Sequence, residues 1–435
     1  MYKIYLKQAW QLIRQERLFS SVYILGTGLA ITLVMTLSIV FYLKLANLYP
    51  EVNRDRSLYV IGGSVKKQSG QISTGPLSLG TVGRCLEGVE GVEAVGLTYN
   101  SNEDYLIQPE GEREQLPVAA KFVNTGFWSV FRFRFVEGGA FDEASERSGI
   151  ATTVITQSLA RRLFGEGTEV VGRYVSLNFQ PFRVCGVVED ASFIMSRSFA
   201  QMWIPYTACP DYSDRSWEDT GVLGWFKASL LASPGTDLDA VKAAVDDRVR
   251  RYNQTLDGVT LMLNGQPEKE WQALFRTWPG MESDLTRDLV VHGLVFFIFL
   301  LVPAVSLSGM ADSRMERRLC EMGVRRAFGA PTGTLMGQVI AENLVFTLLG
   351  GLAGLLLSYA LIYGCRDWIM ETSLKDSFIT APPEGIEVEL SAGMLMNYTV
   401  FGIALGVCLV LNLLSSLIPA WRAAKREIVE SLNAK

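Results

Sequence analysis

The chain has 435 residues, is 49% apolar and carries a net charge of −5 with one histidine. That length is enough for two or three domains, and a single histidine, His292, rules out most histidine-based catalysis and a histidine-containing zinc site. The near-zero net charge hides a segregation: residues 46–289 hold 24 Lys/Arg against 32 Asp/Glu, whereas 1–19, 310–337 and 419–435 together hold 13 basic residues against 6 acidic. Basic residues that flank apolar runs mark the inner face of a membrane and not a nucleic-acid surface.

Residues 1–19 have helical periodicity. Ile4, Ala9, Leu12 and Ile13 share a face, with Lys7 and Arg14 on another and Tyr2, Tyr5 and Trp10 suited to a headgroup layer. The pattern predicts an amphipathic helix lying in the membrane interface. A signal-peptide reading is rejected, because the following apolar run, 20–45, is long enough to span a bilayer, which takes about 20 residues, and no convincing cleavage site follows it.

From 46 to 288 the character is that of a soluble mixed domain. Strands are predicted at 57–61, 94–99, 116–122, 150–155, 174–177, 182–188 and 221–230, and helices at 77–86, 157–164, 238–252 and 267–278. This alternation predicts an α/β or α+β domain. The aromatic stretch 127–135 reads as core more than as a ligand site. Cys85, Cys185 and Cys209 read as buried free thiols, with one disulfide among them left open.

Three further apolar runs follow, at 289–310, 338–363 and 394–418. The second span contains Pro303, which membrane helices accommodate with a kink. The third contains Gly350, Gly351 and Gly354, a small-residue pattern that permits close helix approach and offers a contact for a second copy. Glu342, near its start, is the only acid inside the spans. It can bond Gln338 four residues back, so it reads as an interfacial polar pair more than a substrate site.

Between the second and third spans, residues 311–337 contain Arg314, Glu316, Arg317, Arg318, Glu321, Arg325 and Arg326 on a helix-forming background. Gly329 and Pro331 stop that helix. A charged helix at the inner face suits a cytosolic partner, against the plainer reading of a positive-inside loop. Residues 364–393 form an acidic loop that belongs outside, and 419–435 a basic tail that belongs inside.

The chain contains no G-x-x-x-x-G-K-[S/T], no G-x-S-x-G and no H-E-x-x-H, so it is not expected to be an enzyme on its own.

Three motifs carry a resemblance. Arg314-x-Glu-Arg, continued by Glu321-x-Gly-Val-Arg-Arg-Ala-x-Gly-Ala330, resembles the coupling segment of ABC-transporter permeases of the FtsX/MacB family. Gln338-x-x-x-Glu342 and Pro419-Ala-Trp-Arg-Ala-Ala424 are similar to that family as well. The resemblance implies four transmembrane α-helices and a two-lobed extracytoplasmic domain, its first lobe interrupted by an inserted second lobe at about 142–218. The chain more closely resembles the MacB-type exporters than the smaller division-type permeases. The resemblance also implies ATPase coupling through Arg314, Glu316, Arg317, Glu321, Gly323, Arg325, Arg326 and Gly329.

Further implications are a multi-pass protein of the bacterial inner membrane with both termini cytoplasmic, and no cofactor in this chain. ATP and Mg belong to separate cytosolic ABC ATPase subunits. The expected partners are those subunits, a second permease as homodimer or heterodimer, and membrane lipid but no nucleic acid; a periplasmic adaptor and an outer-membrane channel stay open. The function implied is export of drugs, peptides or other cargo from the outer leaflet or periplasm. The alternative is a non-transporting mechanotransmission or signalling protein that controls a cell-wall hydrolase or handles lipoproteins. A secondary transporter is disfavoured, because four spans with one peripheral carboxylate provide no polar midplane pathway.

Overall fold

The computed structural model describes residues 14, 17–99, 105–109, 115–192, 195–209, 212, 220–276, 278–280, 286–287, 289–291, 293–295, 297–298, 324–325, 327–329, 331–365, 402–403, 405–407 and 409–410. These fall into two compact units, one from 43–288 and one from 1–42, 289–366 and 392–435.

The unit outside 43–288 contains two long apolar helices, α1 (Arg17–Leu45) and one at Thr332–Gly364. Each includes a stretch long and apolar enough to cross a membrane, Ser20–Leu45 and Leu344–Gly364. Residues 1–13, most of the second predicted span, and the acidic loop 366–393 lie outside the described residues, as do the tail and most of the fourth span.

The large unit is built on a sheet of twelve strands among the described residues. In chain order these are β1 (Ser57–Val60), then, past the separate hairpin strands β2 (Gly63–Lys67) and β3 (Ile72–Gly75), β4 (Val92–Tyr99), β5 (Tyr105–Pro109), β6 (Leu116–Val118), β7 (Ala120–Val123) and β8 (Phe135–Gly138). β9 (Thr152–Thr156), β10 (Tyr174–Leu177), β11 (Gln180–Val188), β12 (Met202–Pro205) and β13 (Phe226–Ala232) follow. β14 (Val259–Met262) joins β2 and β3 in a three-stranded sheet, and β15 (Glu268–Lys269) closes one edge of the large one. The spatial order is β15-β1-β13-β4-β7-β12-β9-β11-β10-β5-β6, with β8 on β11.

Segment 142–218, expected as an inserted lobe, thus shares a sheet with its flanks. β12 runs parallel to β7 from Met202↔Ala120 to Pro205↔Val123, and β10 pairs with β5.

Alternation along the strands sorts side chains to two faces. Phe122, Ile155, Val187, Met202, Ile204 and Leu230 enter one apolar cluster; Val123, Val154, Val188, Trp203 and Leu231 enter the other. Three helices cover the first face: α2 (Leu79–Cys85), α5 (Gln157–Phe164) and α6 (Leu238–Asn253). α6 does so with Val241, Val245, Val249 and Tyr252, spaced to fall on one helical stripe. Ser78, Thr156 and Asp237 cap these helices by accepting hydrogen bonds from backbone N–H groups of the first turn. The other face carries the short α3 (Gly126–Val130), whose Phe127 and Val130 pack beneath Phe131 and Trp203. α4 (Glu143–Arg147) and α7 (Glu270–Ala273) are short surface turns, and α8 is the long helix Thr332–Gly364. The helix predicted at 267–278 is thus mostly strand and loop, α7 being four residues long.

Candidate functional site

A chain leaving a membrane helix exposes its last carbonyl groups, which have no intrahelical donor. Here Arg54 supplies one. Its Nη1 donates to the carbonyls of Leu43 (3.0 Å), Lys44 (3.0 Å) and Ala46 (2.9 Å). A cation at a helix C-terminus is also favoured by the helix dipole. Glu51 holds Arg54 in place, Oε2 accepting from Nε at 2.8 Å, with the two side chains only 1% and 3% exposed. The other carboxylate oxygen of Glu51 accepts from the N–H of Ser198 (3.0 Å) and its hydroxyl (2.7 Å). Trp203 Nε1 donates to the Ser198 carbonyl at 3.1 Å. A path of polar contacts therefore runs from the end of α1 to β12 in the middle of the sheet, all within 43–288.

Two further groups flank it. Arg197 pairs with Glu270 at 3.1 Å and lies over the ring of Tyr59, 3.7 Å from its centroid. Lys121 donates to the carbonyls of Ser196 (3.1 Å) and Arg197 (2.6 Å). Near the C-terminal end of this unit's chain, Arg276 forms a two-pronged buried pair with Glu268, both contacts 2.6 Å, and donates to the Asn264 carbonyl. Glu268 sits in β15 opposite Tyr59. The first and last segments of this unit, 51–54 and 264–276, are thus each held by a buried charge pair.

Burial by itself pushes the Glu51 carboxyl up, but the Arg54 charge, the Ser198 hydrogen bond and the Arg197 charge outweigh it and hold the group below its ordinary value. Burial lowers the Lys121 ammonium to about 7, against the pull of Glu51. Cys85 and Cys185 are pushed up to about 11, chiefly by burial, and both are free thiols. Such thiols are inert core residues. Among the described residues no cluster of His, Cys, Asp and Glu forms a metal site.

The second site is the contact between α1 and α8. A Cβ on Gly354 would lie 2.6 Å from the Gly28 carbonyl oxygen, and one on Gly350 would lie 2.8 Å from Thr27 Cβ. A Cβ on Gly351 would lie 2.7 Å from Leu405 Cδ1. Thr32 Oγ1 donates to the carbonyls of Gly28 (2.8 Å) and Gly354 (3.2 Å). All three predicted glycines thus face neighbours inside the same chain; the face offered for a second copy is occupied by α1 and by Leu405.

Of the coupling residues, Arg314, Glu316, Arg317, Glu321, Gly323 and Arg326 lie outside the described residues. Arg325 is helical and half-buried, and Gly329 has φ +87, the left-handed conformation that glycine adopts where helices end. Gln338 and Glu342 lie in the first third of α8. The buried network is one that the sequence did not announce. Its one local signal is the Glu51-x-x-Arg54 spacing just past a span; its other side-chain partners, Met195 and Ser198, lie more than a hundred residues away.

A two-sided sheet domain joined to apolar helices is the architecture of a membrane permease with an extracellular α/β domain. The chain belongs to that family: residues 20–248 match the MacB-like periplasmic core domain and residues 293–428 the FtsX-like permease C-terminal domain. Among curated relatives it is 21% identical over 351 residues to the uncharacterized ABC transporter permease YknZ of Bacillus subtilis (strain 168), covering 80% of this chain and 78% of that one. It is 27% identical over 237 residues to the pyoverdine export ATP-binding/permease protein PvdT of Pseudomonas entomophila (strain L48); that match covers 54% of this chain and 34% of PvdT. The chain thus spans about a third of the length of the PvdT relatives.

Solved structures that match include the extracellular domain of YknZ (TM-score 0.33, 17% identity, 46% of this chain and 99% of that one). Another is the periplasmic region of MacB from Actinobacillus actinomycetemcomitans (TM-score 0.32, 13% identity, 46% and 88%).

Proposed function

We propose that this chain is the permease half of an ATP-driven export machine, in which a separate cytosolic ATPase, carrying ATP and Mg, works through residues 311–337 on the extracytoplasmic domain. The observation that carries the reading is the pairing, on one chain, of a MacB-like periplasmic core domain and an FtsX-like permease domain. The five arginines of 314–326 between apolar runs support an inner-face docking helix. The direction, export, is taken from the name of the PvdT relatives. Cargo enters from the outer leaflet or periplasm, and the spans carry motion and not cargo, because their polar groups are few and a hydrophilic cargo crossing among them loses several kcal/mol for each hydrogen bond left unmade.

Reversing the charges of Glu321 and Arg325 together tests the docking step. Breaking charged contacts at a buried docking surface costs about 2–5 kcal/mol. The double variant should insert normally yet fail to retain an ATPase through purification in mild detergent. Full retention and unchanged coupled hydrolysis return the segment to an ordinary positive-inside loop.

A further inference from the structure

The aromatic stretch 127–135, which begins within α3, is only partly consumed by the core. Phe127 and Phe131 are buried, but Phe135 is 36% exposed and Arg132 and Arg134 lie on the surface. This surface strip is tied to the loop that leaves α1. Arg132 N donates to the Pro50 carbonyl at 2.9 Å, Asn53 Nδ2 to the Val130 carbonyl at 3.2 Å, and Arg134 N to the Tyr49 hydroxyl at 3.2 Å. The Arg134 guanidinium lies over the Tyr49 ring, 4.9 Å from its centroid. The loop is folded back on the helix end, since Arg54 binds the carbonyls of Leu43, Lys44 and Ala46. Tyr49 follows the last helical residue by four positions, a reach of at most about 14 Å even if fully extended. The strip is therefore held within a short distance of the point where an apolar span ends.

What gathers there has the composition of a membrane-surface patch. Leu45, Val52 and Phe135 are exposed apolar side chains, Tyr49 is an amphipathic ring, and Arg132 and Arg134 are cationic. Glu189 pairs with Arg134 at 3.0 Å, but the Arg132 guanidinium makes no ion pair among the described residues. Aromatic rings and arginines concentrate at the headgroup level of membrane proteins, and basic residues near a leaflet are drawn to anionic lipid. We infer that the strip Arg132–Phe135, with Tyr49 and Val52, rests on the outer leaflet and binds anionic phospholipid headgroups. The large domain then meets the lipid surface through this strip. This inference needs only that α1 spans the membrane with its C-terminal end outside, and it stands or falls independently of the ATPase.

The structure supplies an internal control. Phe179, 80% exposed, sits in the two-residue turn between β10 and β11, and Phe135 pairs with Val188 at the opposite end of β11. The nine residues of β11 set the two about 30 Å apart at the usual rise per residue.

Single cysteines replacing Phe135 or Phe179, in a cysteine-free full-length chain, are labelled with a fluorophore in phosphatidylglycerol/phosphatidylcholine vesicles doped with a headgroup-nitroxide lipid. The expected result is loss of most of the fluorescence at 135 and none at 179, with the loss at 135 relieved in an Arg132→Gln/Arg134→Gln background. Both arginines are exposed, so that background keeps the fold, which the unchanged signal at 179 checks. Equal quenching at the two positions overturns the inference, as does quenching at 135 that ignores the arginines. A protein partner or second copy covering the strip would leave 135 unquenched, and that result overturns it too.

Discussion

Glu51 and Arg54 are charged, buried and three residues apart, and each satisfies several groups besides the other. Removing one member of such a pair leaves the other charge uncompensated in an apolar surrounding. Glu51→Ala should therefore cost about 3–5 kcal/mol, while Glu51→Gln, which still accepts from Ser198, should cost less. Unfolding of the full chain in detergent measures both. Because the Glu51 carboxyl is held below its ordinary 4.5 in the folded chain, the unfolded chain binds its proton first as pH falls. The stabilisation it gives is complete above about 4.5 and lost as pH drops through the lowered value. The wild type should lose stability in that acid range more steeply than Glu51→Gln, and parallel acid limbs would remove the pair from the account. The spacing of Glu51 and Arg54 was visible in the sequence, but nothing in it pointed to Ser198 or to the helix carbonyls, which only folding brings within reach.

At the scale of elements, the contact of α1 with α8 depends on close approach at the glycines, where the Gly28 carbonyl and the Thr27 and Ile31 side chains take the space a side chain would need. A Cβ at 354 meets a carbonyl oxygen at 2.6 Å, and that oxygen belongs to backbone that cannot swing aside. Gly354→Val should force the helices apart at a cost of about 1–3 kcal/mol, the usual range for overpacking. The loss should show as a lower melting temperature in detergent, whereas Gly364→Val, where no described residue lies within 4 Å, should not. An unchanged Gly354→Val would mean that the contact contributes nothing. The small-residue pattern was legible because glycine spacing on an apolar helix has few other uses; which helix would fill the groove was not, since Gly28 and Thr32 carry no signal of their own.

Strands followed the same division. Segment 174–177 was placed to the residue and 182–188 to within two, because alternating apolar residues announce a half-buried strand. β12 was missed: Met202, Trp203, Ile204 and Pro205 are buried on both faces and do not alternate.

Over the whole molecule, the segregation of charge sets a topology. The termini and 310–337 are predicted inside, and 46–288 and 364–393 outside. Cysteines placed at Ser64 and at Ser431 in a cysteine-free chain should label with a membrane-impermeant reagent from opposite sides. Labelling of both from one side would overturn the scheme and the docking role with it.

Composition and order along the chain were enough to determine that this is a membrane protein with a large mixed α/β domain between its apolar runs, because hydropathy and Lys/Arg bias act locally and need no partner. They were enough, through the Arg314–Ala330 motif, to indicate a permease family. The tertiary structure alone decided that 142–218 shares one sheet with its flanks, because strand neighbours such as β12 and β7 are chosen by side-chain faces and hydrogen-bond registers some eighty residues apart. It alone decided that Arg54 closes the end of the first span, because a buried charge is tolerable only where Glu51 and three carbonyls converge on it, and that convergence exists only in the folded chain.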